Sequence, residues 1–251
     1  MAVVQATFHS WNVTVGNFFF RYRNALFPLI FIFAALSLKP KIMFGSPSAE
    51  HLLGAIGIVF ALLGQAIRFV TIGFEYIHRG GKDGHVYAGR LVTRGVFGLV
   101  RNPMYIGNAL IVIGMTMYLG APLGYLVLIP FFLFVYQALV AAEEVYLREK
   151  FGSEYATYCA NVNRFFPRLS NTAAAFSGMC FNWRPGLKKD LGTIVGLTMG
   201  FILVPVWRTY SLEGWDAAKA PALKASEISI VVVVIYLVLL KLKRINRLFQ
   251  V

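Results

Sequence analysis

The chain has 251 residues, 58% of them hydrophobic and only 14% charged, against roughly 25% charged in a typical soluble domain, and its mean hydropathy is +0.65. These values exclude a disordered chain and a soluble globular enzyme, and leave an integral membrane protein with several spanning helices. The net charge of +13 would suggest nucleic acid in a soluble protein. In a membrane protein it is the Lys and Arg excess that collects in cytoplasmic loops beside anionic headgroups, so the bilayer is the expected partner and no nucleic acid is.

Six apolar runs predict the spans. Residues 25–38 form a short run preceded by the aromatic Phe18, Phe19 and Phe20, and residues 52–74 form a long one with Gln65 and Arg68 embedded in it. Residues 105–119 and 125–142 are separated only by Gly120-Ala121-Pro122-Leu123-Gly124, which reads as a tight helical hairpin. Residues 191–207 follow a long polar stretch, and residues 228–240 run into a basic tail. On alternate sides of this scheme lie eighteen and five Lys and Arg, with Arg68 inside a span. The imbalance places both termini in the cytoplasm. The expected fold is therefore all-α: a polytopic membrane helical bundle of about six spanning helices. Two large loops, roughly 75–104 and 143–190, fall on the basic side and flank the hairpin.

Two cysteines, Cys159 and Cys180, make no disulfide framework. The four histidines, His9, His51, His78 and His85, have no metal-ligand spacing with them. No metal site is expected.

Three clusters could carry chemistry. In Arg101-Asn102-Pro103-Met104-Tyr105-Ile106-Gly107, Pro103 is suited to open a helix, because its missing N–H costs nothing there. The free N–H groups of that start would face an anion, with Arg101 adding a cation. An ordinary helix start with a snorkelling arginine explains the spacing equally well. Glu143-Glu144 closes the fourth span at the negative end of its dipole, an unfavourable place for carboxylates. Adjacent residues stand about 100° apart on a helix, so one of the pair should face inward and need a partner. A solvated end with Glu144 pairing to Arg148 at i+4 is the plainer reading. Finally, residues 151–168 read as a turn, a short amphipathic helix and a proline-ended segment. Arg164 and Arg168 there either bind an anionic group or lie on headgroups.

Taken in order, the basic-Asn-Pro-x-Tyr-x-Gly segment, the helical hairpin, Glu-Glu-x-x-Leu and Phe-Gly-x-x-Tyr-x-x-Tyr resemble the integral-membrane methyltransferases over about residues 60–168. That superfamily includes isoprenylcysteine carboxyl methyltransferases and phosphatidylethanolamine N-methyltransferases. The resemblance implies S-adenosylmethionine as cofactor, bound on the cytosolic side by Asn102, Pro103, Tyr105, Gly107, Glu143 and Glu144. It makes Glu143, Glu144, Arg101 and Arg164 the catalytic candidates, and Arg164, Arg168 and Tyr158 the candidates for a membrane lipid substrate. Asn102 stands where prenylcysteine enzymes usually carry His, which favours phospholipid N-methylation over carboxyl O-methylation. The Gly-x-Gly cofactor motif of the phospholipid enzymes has no clear counterpart; Gly80-Gly81 and Gly84 are the candidates. The expected division is 1–59 as N-terminal membrane segments, 60–168 as the methyltransferase-like core, and 169–251 as a cytoplasmic linker with two further spans. A sterol-type reductase, a small-solute transporter and a non-catalytic scaffold are the alternatives from other classes.

Overall fold

The computed structural model describes residues 2–42, 46–75, 79–82 and 85–244. Its helices are α1 (Ala2–Ser37), α2 (Pro47–Phe74), α3 (Pro103–Leu119), α4 (Ile129–Asn161), the short α5 (Thr172–Phe176), α6 (Trp183–Glu213) and α7 (Trp215–Arg244). Between α2 and α3 lies an antiparallel hairpin, β1 (Arg79–Lys82) and β2 (His85–Ala88), with Lys82 opposite His85. Among the described residues, five helices are long and apolar enough to cross a membrane, and α3 is a sixth apolar helix of 17 residues. The protein is an all-α, multi-pass membrane bundle.

The tightest packing is between α2 and α3, and glycine makes it possible. A Cβ on Gly64 would stand 2.4 Å from the Gly107 carbonyl oxygen, and one on Gly107 would stand 2.7 Å from that of Gly64. Two turns along, Gly57 and Gly114 repeat the arrangement at 2.6 and 2.4 Å. The seven-residue spacing keeps each pair on one seam, and the antiparallel run matches them backbone to backbone. In lipid, where burial of apolar surface gives little drive between helices, such close approach supplies the association. On the other side α1 packs on α4, with Gly16 against the backbone of Ala138 and Phe31 stacked on Phe132 at 4.6 Å between ring centroids. α3 and α4 are joined by a turn opening at Gly120, whose left-handed backbone (φ 67°) lets its N–H reach the carbonyls of Thr116 and Met117.

α6 is fastened to α2 by an ion pair towards each end. Arg68 of α2 pairs with Asp190, which is fully buried, and Arg208 pairs with Glu50 at 2.8 Å while donating to the Tyr118 carbonyl. Eighteen residues separate the acid from the base on each helix, or roughly 27 Å of rise, close to the hydrocarbon thickness of a bilayer. α7 packs against α6 through the buried Ala218 and Ala225, and its remaining face, including Ile228, Val231, Ile235 and Val238, is exposed to lipid.

Two sequence expectations change, the extent of the first span and the place of Gly80-Gly81. The first span extends well before residue 25, as far as Trp11, so Arg21 and Arg23 lie within a helix rather than ahead of it. Arg23 sits 4.1 Å from the Phe20 ring centroid, and the aromatic run shields it. α2 runs unbroken through residues 59 and 60, in keeping with the expected span of 52–74. The stretch after residue 169 packs on the end of α2: Phe74 meets Phe176 and Phe181, and the N–H of Asn182 reaches the Gly73 carbonyl at 2.8 Å. Gly80 and Gly81 lie in β1 rather than in a loop, and Gly84 falls outside the described residues.

Gly64→Ala is expected to destabilise the bundle by about 1–3 kcal/mol through overpacking. Gly54→Ala, where the nearest atom to a new Cβ is 3.9 Å away, is expected to be neutral or stabilising by up to about 1 kcal/mol. Unfolding curves of the two variants in micelles check the contrast.

Candidate active site

Pro103 occupies the first position of α3, and Asn102 caps it with φ −126° and ψ 52°. The Asn102 side chain makes no cap bond; its amide donates instead to the Arg164 carbonyl at 3.2 Å. Asn102, directly before the proline, lies outside the helical region, as the proline favours, and the residues leading to it run beside another segment. They pair with the chain that follows α4: the Arg101 N–H reaches the Asn163 carbonyl and the Arg168 N–H reaches the Leu99 carbonyl, each at 2.9 Å, with Val100 and Asn163 forming a parallel bridge. The start of α3 is thereby stitched to residues sixty positions away.

α4 delivers the carboxylates. It continues past Ala142 to Phe151, and Gly152, at φ 49° and ψ −118°, breaks the axis so that residues 153–161 run on in a new direction. Glu143 is buried, and the Tyr105 hydroxyl donates to its Oε1 at 2.8 Å. Among the described residues no Lys, Arg or His lies within ion-pair distance of it. Glu144 accepts from Nε of Arg164 at 3.0 Å and stands 3.8 Å from Nη1 of Arg101. Arg101 also meets the Cys159 thiol. Burial works against its charge, but Glu144 and Cys159 outweigh it and hold the guanidinium pKa above its ordinary value. The Tyr105 ring lies 6.0 Å from that of the buried Tyr136.

Asn102, Tyr105, Glu143, Glu144, Arg101 and Arg164 thus come together at one end of the bundle. Pro103 is buried at their base. Gly107 faces α2, where the absence of a side chain admits the Gly64 backbone and the stem of Arg68, whose Cγ a Cβ would meet at 2.6 Å. The Arg168 side chain is exposed, and its backbone N–H closes the pairing with Leu99. Tyr158 is buried and donates to the Phe97 carbonyl at 2.7 Å. It lines a cleft of about 520 Å³ with Thr93, Arg94, Glu154 and Asn161, and its ring lies 6.1 Å from that of Tyr155. Glu144 pairs with Arg164 and Arg101 rather than with Arg148 at i+4. Sequence reasoning missed the Tyr105–Glu143 bond and Cys159. Tyr105 falls two residues after a helix-opening proline, a position that turns it into the bundle, and that signal was present.

Chemically, the cluster offers two arginines that share one carboxylate, and a second, buried carboxylate whose hydrogen-bond partner is a phenol hydroxyl. The fold and this site define a multi-pass membrane protein with a cluster of two carboxylates and two arginines where α3 begins. Residues 50–154 match the phospholipid methyltransferase family. A probable protein-S-isoprenylcysteine O-methyltransferase from Oryza sativa is 28% identical over 173 residues, covering 66% of this chain and 87% of that protein. An uncharacterised Haemophilus influenzae protein is 42% identical over 62 residues, 25% of this chain and 98% of its own length. The cobalt-zinc-cadmium resistance protein CzcN of Cupriavidus metallidurans is 26% identical over 157 residues, 62% and 68% of the two chains. No solved structure matches. These matches support the integral-membrane methyltransferase family for this chain.

Glu144→Gln is expected to cost about 1–3 kcal/mol of stability, because two partly buried guanidinium groups lose their carboxylate. Adding Arg164→Gln should recover part of that loss, giving a coupling energy that a double-mutant cycle in unfolding experiments reads directly.

Proposed function

We propose that the chain transfers a methyl group from S-adenosylmethionine to the headgroup amine of a membrane lipid. The observation that carries this reading is Glu143: a carboxylate at 7% exposure, bonded by the Tyr105 hydroxyl and without a cationic partner among the described residues. A buried charge needs compensation. Both the methyl donor and a protonated amine are cations, so the residues fit the ligands. Asn102, Tyr105, Glu143 and Glu144 would hold the cofactor, with Pro103 setting the start of α3. When bound, S-adenosylmethionine supplies an electrophilic methyl group on a sulfonium centre.

The rest falls to the chain. Displacement at a methyl carbon needs donor and acceptor aligned, and a fixed helix start facing a fixed carboxylate gives that alignment. An amine is mostly protonated at neutral pH. Glu143 is the carboxylate of this cluster open to its ammonium and able to take a proton from it, which frees the nitrogen lone pair for methylation. Arg164 stands beside it for the lipid phosphate, with the exposed Arg168 on the adjoining segment. With Arg21 and Arg23 inside the first span, the remaining sixteen-to-five distribution of Lys and Arg still supports a cytoplasmic position for this face and for both termini. The core of this activity is residues 60–168, completed at its start by the first half of α2, with 1–59 and 169–251 as flanking membrane segments.

A second reading, carboxyl O-methylation of a prenylated cysteine, draws on the names of the rice relatives and on the same arginines, which suit a carboxylate acceptor. Radiolabelled S-adenosylmethionine, purified protein and phosphatidylethanolamine vesicles decide between them, with a prenylcysteine analogue in a parallel reaction. Label in base-stable phospholipid is the expected result. Label appearing only as a base-labile ester of the analogue would replace the first reading with the second.

A further inference from the structure

Deep in the bundle lies a polar cluster that the proposed chemistry does not use. Arg68 of α2 holds Asp190 of α6 with two nitrogens, Nε to Oδ2 at 3.2 Å and Nη2 to Oδ1. Gln65 donates to the same Oδ2 at 2.6 Å, and Thr193 lies 3.2 Å from Nη2. The remaining nitrogen, Nη1, donates to Oδ1 of Asn108 on α3. A single guanidinium therefore ties three helices together, with its flat fork fixed in orientation by the acid. Ionisable groups at membrane depth are costly, and this one does more than neutralise its partner.

Its third attachment is the informative one. Asn108 is three residues beyond Tyr105, one turn further along the same face of α3. Between them Gly107 accepts the Arg68 stem against its backbone. Arg68 thus fixes both the rotation of α3 and its height, and those two quantities set where the Tyr105 hydroxyl meets Glu143 on α4. The Glu50–Arg208 pair, at the opposite end of the same two helices, meets α3 at the Tyr118 carbonyl and beside Gly120, at its far end. It fastens α6 without touching the turn that opens α3.

We propose that Arg68, oriented by Asp190, is a positioning residue for the Asn102–Tyr105 turn, and that the α6–α7 segment is the brace that supplies Asp190. This rests on the reading of that turn as part of the cofactor site. The two ion pairs provide the test, since each joins α2 to α6 and only one contacts α3 near Tyr105. D190N and E50Q are compared with the unaltered protein in lipid nanodiscs. S-adenosylhomocysteine affinity is measured by calorimetry, hydrogen–deuterium exchange is followed over residues 99–110, and thermal unfolding reports the stability of each variant. Both variants should lower the unfolding midpoint. D190N alone should weaken S-adenosylhomocysteine binding, by about tenfold or more given how steeply alignment governs such sites, and speed exchange over residues 99–110. If D190N does not fold, R68K takes its place with the same expectation, because a single ammonium cannot reproduce the fork to Asp190 and Asn108. Equal effects of both substitutions on binding and exchange, or no effect of either, would reduce the cluster to a structural pair and overturn the proposal. If the unaltered protein does not bind S-adenosylhomocysteine, the methyl-transfer reading fails, and the exchange measurement alone decides the role of Arg68.

Discussion

A carboxylate held away from water in a membrane protein must find positive charge, and that requirement organises this molecule. Among the described residues three acids are buried: Glu50, Glu143 and Asp190. Glu50 finds Arg208, and Asp190 finds Arg68, and these two pairs bind α6 to the bundle at separate depths. Glu143 finds a tyrosine hydroxyl. Breaking a buried pair typically costs about 3–5 kcal/mol, so two of the three acids are pinned by their partners. The third is satisfied as a hydrogen-bond acceptor but not as a charge. That difference separates the acids that hold the fold from the one placed to meet a cationic ligand.

Packing decides where Glu143 can act. The paired glycines lock α2 to α3 backbone to backbone, and the aromatic seam of Phe27, Phe31, Phe132 and Tyr136 locks α1 to α4. The site lies where these two halves meet, with Tyr105 contributed by α3 and Glu143 by α4. Across this junction the chain adds local stitching: the residues before Pro103 pair with those after Asn161, and Glu144 bridges arginines from both strands. A polar cluster at a seam between rigid halves is a natural place for a water-soluble cofactor and a lipid to meet.

What was legible in the sequence was local or periodic. The apolar runs located six helices, Gly120 to Gly124 marked the hairpin, and Pro103 marked the start of α3. The angular argument about Glu143 and Glu144 correctly turned one of them inward. The partners were not legible, because they depend on tertiary contact: Arg164 is twenty residues from Glu144, and Asp190 is 122 from Arg68. Asp190 sat at the edge of an apparent polar loop, and only the true start of α6 brings it inside. That start had a signal in Asn182, whose side chain accepts from the Arg184 N–H, with Pro185 in the first turn. The repeated seven-residue glycine spacing at 57 and 64 and at 107 and 114 was also present to be read. So was Asp83-Gly84 between two short strands, a dipeptide strongly favoured in two-residue hairpins.

The most direct measurement of the central claim is the thermal unfolding midpoint with and without S-adenosylmethionine, for the unaltered protein and for Glu143→Gln. If Glu143 awaits a ligand cation, the substitution removes an uncompensated buried charge. The ligand-free variant should then unfold at or above the temperature of the unaltered protein, while the rise in midpoint that saturating ligand brings should largely disappear, since binding to the folded state stabilises it in proportion to affinity. A variant that is destabilised without ligand yet keeps the full ligand-induced rise would contradict the account.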